Sequence, residues 1–157
     1  NKALVFTQMK HAANRVVKKL STSGIHGVAI NGNKSQAART KALEGFKQGR
    51  FRVMVATDVA ARGLDVDDIT HVINYDLPLE AEPYVHRIGR TGRAGASGMS
   101  ISFACEDDAF LLPELENAIG MKLECEYPPA DLLAEKETAA PVKAPGHDTT
   151  QNAEKKD

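Results

Sequence analysis

Arg87, Arg90 and Arg93 recur at every third position through Tyr84–Gly95, YVHRIGRTGRAG, with Gly89 and Gly92 between them. Glycines there remove side chains and let a charged ligand approach closely, and guanidinium groups present fixed forks suited to phosphate. An isolated repeat of this kind is more often a solvated helix face. The full twelve-residue string favours an anion-binding role. A second string, Ala56–Val66 (ATDVAARGLDV), sets the hydroxyl of Thr57 and the carboxylate of Asp58 just after an apolar run. Asp58 reads equally as a helix cap or as a functional contact. Ala60, Arg62 and Gly63 form a tight connection, and Asp65 follows in an irregular segment where a carboxylate can accept from a ribose hydroxyl.

Such residues need a scaffold, and the pattern around them supplies one. Ala3–Thr7, His26–Ile30, Arg52–Ala56, His71–Asn74 and Met99–Phe103 are short, largely β-branched runs that predict strands. Lys10–Ser21, Ser35–Lys47, Glu80–Ile88 and Asp107–Ala118 carry helical periodicity, with Val16, Val17 and Leu20 on one face. Ser35 is placed to cap a helix, and Gly24 and Gly49 sit just past helix ends. Strands alternating with helices predict an α/β fold with a parallel sheet. Ligands of such sheets bind at the carboxyl ends of the strands, which draws attention to Thr7, Asn31–Gly32, Thr57–Asp58 and Asn74–Asp76.

Composition bounds the function classes. A chain of 157 residues with net charge −1 suits one domain and a short appendage. From Pro129 onward there are four Lys and six Asp or Glu, leaving 16 basic and 15 acidic residues before it. Nucleic acid would therefore meet a local patch and not a global positive field. Residues 1–128 are expected to form the domain. Residues 129–157, rich in Ala, Pro, Glu and Lys, are expected to form a disordered tail, above all from about 134 onward. Cys105 and Cys125 are expected to be buried or partly buried thiols, without disulfide or metal roles. No apolar run reaches the length of a membrane span, so a cytoplasmic protein is expected. Asn1–Lys2 runs straight into a strand, as an excised fragment would.

Phe6–Thr7, Gln36-x-x-Arg39, Thr57–Asp65, Asn74–Tyr75–Asp76 and His86–Arg93 stand in one order along the chain. They resemble motifs IV, IVa, V, Va and VI of the second domain of the DEAD-box ATP-dependent RNA helicases. The resemblance spans roughly residues 2–125 and looks most like the bacterial RhlE/RhlB branch. It implies a RecA-like three-layer sandwich: a mostly parallel sheet of five to seven strands with helices on both faces. It implies that Arg90 and Arg93 are arginine fingers reaching the ATP γ-phosphate, and that Asp65 contacts the ribose. His86 would couple to the acidic motif of the other domain, and Arg62 would organise motif V against motif VI. Arg87 would be structural or coupling. Gly32, Gln36, Arg39 and Thr57 would lie along RNA phosphates and sugars. Asn31 and Met9 depart from the family pattern, where His and Thr are common.

The chain holds no phosphate loop of the G-x-x-x-x-G-K-[ST] type and no Asp-Glu-Ala-Asp metal motif. ATP with Mg²⁺ is therefore expected to be held mainly by an N-terminal RecA-like domain, with no metal site and no tightly bound cofactor here. The chain alone is not expected to hydrolyse ATP. Expected partners are single-stranded or duplex RNA, the N-terminal domain, and RNA-decay or ribosome-assembly proteins, with the protein itself a monomer. The rival readings are half of a related DNA helicase, and a non-enzymatic RNA- or protein-docking module.

Overall fold

The computed structural model describes residues 1–93 and 95–133. Its compact unit is Asn1–Leu123, with Glu124–Asp157 set apart as a second. Five strands form one sheet: β1 (Lys2–Phe6), β2 (Gly27–Ile30), β3 (Val53–Ala56), β4 (Ile69–Asn74) and β5 (Met99–Ser102). They lie in the order β2-β3-β1-β4-β5, and every neighbouring pair is parallel. Parallel neighbours require crossovers. Those in this unit are α1 (Lys10–Thr22), α2 (Gln36–Lys47), the four-residue α3 (Asp58–Ala61) and α4 (Ala81–Ile88), followed after β5 by α5 (Leu112–Ile119).

The pleat sorts the core. Leu4 and Phe6 of β1 face α2 and α3 with Ile30, Met54, Phe46 and Ala60, whereas Val5 faces α1 with Val55, Ala13 and Val16. Burying each of the larger side chains stabilises the domain by ~1.5–3 kcal/mol. A third cluster joins Leu77 and Tyr84 to Leu111 and Leu115, seating α4 against α5. β5 is an edge strand, paired only with β4, and its Met99 and Ile101 stay exposed.

The Ser35 side chain accepts from the Ala38 amide and starts α2. Gly24 and Gly49 follow α1 and α2 with φ of +76° and +75°, a region that favours glycine. Three expectations are corrected. The helix expected over Asp107–Ala118 is a 3-10 turn, Glu106–Leu111, followed by α5, whose first turn holds Pro113; proline lacks an N–H and suits a helix start. Both cysteines are exposed, not buried: Cys105 begins the 3-10 turn, where the Asp108 carboxylate accepts from its amide at 2.9 Å. Within the segment expected to be a disordered tail, Ala130–Leu133 is one helical turn (α6), closed by Leu132 N–H donating to Pro129 O. The remainder of that expectation, residues 134–157, lies outside the described residues.

Candidate active site

The carboxyl ends of β1, β3 and β4 converge on one side chain. Arg87 of α4 is 1% exposed and is the largest fully buried residue. Its Nε and Nη2 donate to the two carboxylate oxygens of Asp58, each at 2.7 Å. Its Nη1 donates to the backbone oxygen of Asp76 at 2.7 Å and to Asn74 Oδ1 at 3.2 Å. The guanidinium stands 5.0 Å from the centre of the Phe6 ring, within cation–π range. Asp58, at the start of α3, is neither a cap nor a free contact but the bidentate partner of this arginine. The β1 tip joins the same network: Gln8 donates its amide to Asp76 Oδ2 at 2.9 Å and its side chain to Leu77 O at 2.7 Å.

The arginine repeat therefore divides. Arg87 turns inward and is spent on its own domain, which gives the structural side of its two readings a direct geometric basis. Arg90, one turn on, is half-buried in the wall of an open cleft of about 620 Å³ and anchors Nη1 on Leu64 O at 3.0 Å. Arg62 and His86, both exposed, line the same cleft, as do Glu80 and Glu82. Arg93 is exposed outside this lining and donates Nε to Gly89 O at 2.7 Å. Asp65 is likewise outside it; its side chain is 91% exposed, with Lys47 Nζ at 3.9 Å. An exposed ion pair of that length contributes little and leaves the carboxylate available. The cationic side chains fit the phosphates of a nucleotide. Among the described residues no group of three or more His, Cys, Asp or Glu could hold a metal ion.

The other sequence-predicted residues gather at the tips of β2 and β3, whose ends pair as Ile30 with Ala56. Gly32 and Gln36 are exposed, and Thr57 is half-buried with no cap bond from its hydroxyl. Arg39 extends Nη2 to Ala60 O at 3.4 Å, tying α2 to α3. Asn31, fully buried, holds this rim: its amide donates to Lys10 O and Asn14 Oδ1, both at 3.3 Å, and its Oδ1 accepts from the Asn33 amide at 3.1 Å. Sequence reasoning had singled out Asn31 as a strand-tip position open to ligand and as a departure from the family pattern, not as a buried organiser. A polar residue at the end of an apolar strand was the signal that it is a buried organiser.

The helicase conserved C-terminal domain matches residues 1–95. ATP-dependent RNA helicase RhlB of Pseudomonas aeruginosa is 53% identical over 132 residues, covering 84% of this chain and 33% of that protein. The chain thus spans about a third of the length of the RhlB relatives it matches. The crystal structure of E. coli DEAD-box protein SrmB bound to regulator of ribonuclease activity A superposes with a TM-score of 0.78. It is 34% identical and covers 93% of this chain and 82% of that one. A Dbp5 variant from S. cerevisiae bound to RNA and ADP BeF3 gives a TM-score of 0.70 at 33% identity, over 77% of this chain and 34% of that one. A parallel sheet covered on both faces, with an arginine-bearing cleft at its carboxyl edge, defines a RecA-like α/β domain. The chain belongs to the DEAD-box RNA helicases, as their C-terminal domain.

Proposed function

We propose that this chain is the second half of an ATP-dependent RNA helicase that remodels or unwinds RNA duplexes, supplying the arginine fingers and part of the surface for the RNA backbone. The observation that carries the reading is the division of the arginine repeat. Arg87 is locked by Asp58, so α4 is a rigid mount, while Arg90 lies in the cleft wall and Arg93 reaches solvent. Phosphoryl transfer depends on positioning and charge neutralisation, and arginines supplied across a cleft contribute roughly 10³–10⁵ in rate. A site divided between two domains is complete only when they close, which couples turnover to closure.

In this reading Asp65 accepts from the ribose of ATP and His86 meets the acidic motif of the N-terminal domain, which holds Mg²⁺ and most of the nucleotide. Arg62 steadies the loop after α3. Gly32, Gln36, Arg39 and Thr57 contact phosphates and sugars, which position RNA without reading its sequence. The relatives' printed names, ATP-dependent RNA helicase and a DEAD-box protein bound to RNA and ADP BeF3, support nucleotide and RNA as ligands. The SrmB complex with a regulator of ribonuclease activity supports a protein partner from RNA decay. No helix among the described residues is long and apolar enough to cross a membrane. The reading takes the protein as a cytoplasmic monomer.

The test is to combine this chain with its N-terminal half and follow ATP turnover with and without RNA. Neither half alone is expected to turn over ATP, and the pair is expected to do so in response to RNA. A pair that binds RNA yet never hydrolyses ATP would favour a docking module instead.

A further inference from the structure

We infer that Thr91 and Gly98 are positioning residues for Arg93, holding the base of its loop in a geometry that no larger side chain at 98 permits. The inference rests on the arginine-finger reading above. The loop leaves α4 at Gly89 and re-enters the sheet at Met99, and its two ends meet where Gly98 packs against Thr91 and Gly92. On the α4 side, the Thr91 hydroxyl donates to Ile69 O at 2.5 Å, pinning the loop to the first residue of β4. On the β5 side, a Cβ placed on Gly98 would overlap the Thr91 hydroxyl, stand 2.5 Å from the Gly92 amide nitrogen and 2.9 Å from Thr91 Cβ. Backbone cannot yield as a flexible side-chain end can, so any side chain at 98 must push Thr91 and Gly92 away.

Arg93 follows Gly92 directly, and Gly92 itself has φ of +65°. Beyond that turn Arg93 O accepts from the Ala96 amide at 3.0 Å. Arg93 thus springs directly from a closed base, and displacing the base displaces its side chain. Arg90 Nη1 is held from outside the loop, by Leu64 O, whereas the bond of Arg93 Nε to Gly89 O closes within the loop and is strained when its base shifts. Thr91 and Gly98 need not touch the nucleotide; they act through Arg93.

The test uses the full-length helicase and steady-state RNA-stimulated ATP hydrolysis, with a thermal melt for each variant. Gly98→Ala and Thr91→Val are each expected to lower kcat by about 10²-fold, the cost of moving a catalytic group by about an ångström, with KM for ATP little changed. Thr91→Ser keeps the hydroxyl and is expected to stay near the parent rate. In an Arg93→Ala background, Gly98→Ala is expected to cost nothing further, because residues acting through one group are non-additive. Should Gly98→Ala fail to fold, the Thr91→Val and Thr91→Ser pair decides. Losses that multiply with Arg93→Ala, or Thr91→Val turning over normally while Arg93→Ala is inactive, would overturn this inference alone. Arg93→Ala turning over normally would overturn the finger assignment and this inference with it.

Discussion

The cleft wall of Arg62, His86 and Arg90 and the rim of Gly32, Gln36, Arg39 and Thr57 are both built at strand tips, but they are stiffened by different means. The cleft leans on a buried charge: Arg87 clamps Asp58, Asn74 and the Asp76 backbone together. The rim leans on a neutral amide, Asn31, with three bonds of 3.1–3.3 Å. Charge-assisted bonds are shorter and roughly twice as strong as neutral ones. A group that must meet a developing transition-state charge tolerates little displacement, and the stronger anchor stands behind it. On the proposed reading the rim follows an RNA backbone whatever its sequence, which tolerates more displacement, and the softer anchor is sufficient there.

Breaking the two anchors should expose this difference. Arg87→Ala removes one partner of a buried ion pair and is expected to destabilise the domain by about 3 kcal/mol. That is the low end for such a loss, because Asp58 is half-exposed and can rehydrate. Asn31→Ala should cost about 1–2 kcal/mol, the scale of unpairing buried neutral groups. Urea denaturation of both variants measures the gap, and equal losses would dissolve the contrast.

The catalytic arm of the comparison is nearly as large. Arg93→Ala should leave folding within ~0.5 kcal/mol, since the side chain is exposed. In the full-length enzyme it should lower ATP turnover by at least ~10²-fold and leave nucleotide-independent RNA affinity almost unchanged. A fragment that unfolds, with a full-length variant that turns over normally, reverses the assignment.

The sequence carried the positions of the strands well and the side-chain partnerships poorly. All five strands and α1, α2 and α4 fall where apolar periodicity puts them, because buried parallel strands read as apolar runs and helices as amphipathic faces, whereas the last expected helix is split into a 3-10 turn and α5. The four-residue α3 is too short to show a period, so its start at Asp58 was ambiguous between cap and contact. Arg87, Arg90 and Arg93 are the same residue type at equal spacing, and nothing in the string distinguishes the one that is buried. That distinction depends on Asp58, 29 residues away. Asp65 and Arg93 were grouped with Arg90, yet neither lines the same cleft in this domain.

On the rim the effects should be smaller and electrostatic. Arg39→Ala is expected to weaken RNA binding alike across sequences and to make the salt slope shallower by about 0.7, the share of one phosphate on a single strand. Filter binding at several salt concentrations measures it. An unchanged slope would remove Arg39 from the RNA path.

The smallest effect lies away from both regions. The Glu116 carboxylate accepts from Lys122 Nζ at 2.7 Å and the Leu123 amide at 2.9 Å, and these bonds, Lys122 first, hold its pKa below the usual carboxylate value. A depressed folded-state pKa means that the stabilisation is present above the unfolded value and is lost as pH falls through the folded one. Acidification below the ordinary carboxylate range should therefore loosen the turn after α5. The Leu123 amide shift, followed by NMR against pH, should titrate below the ordinary glutamate value, and a midpoint at or above that value would refute the assignment.

The edge position of β5 has a consequence for the timescale on which this domain can rearrange. β1 and β3 are hydrogen-bonded on both sides, whereas β5 is held by β4 alone and buries little of its surface. Its amides belong to the least protected part of the sheet, opening by sub-global fluctuation well before the molecule unfolds. Because the Arg93 loop runs directly into that strand, amide exchange at Met99–Ser102 would report on the loop coming free while Arg87 still holds α4 in place.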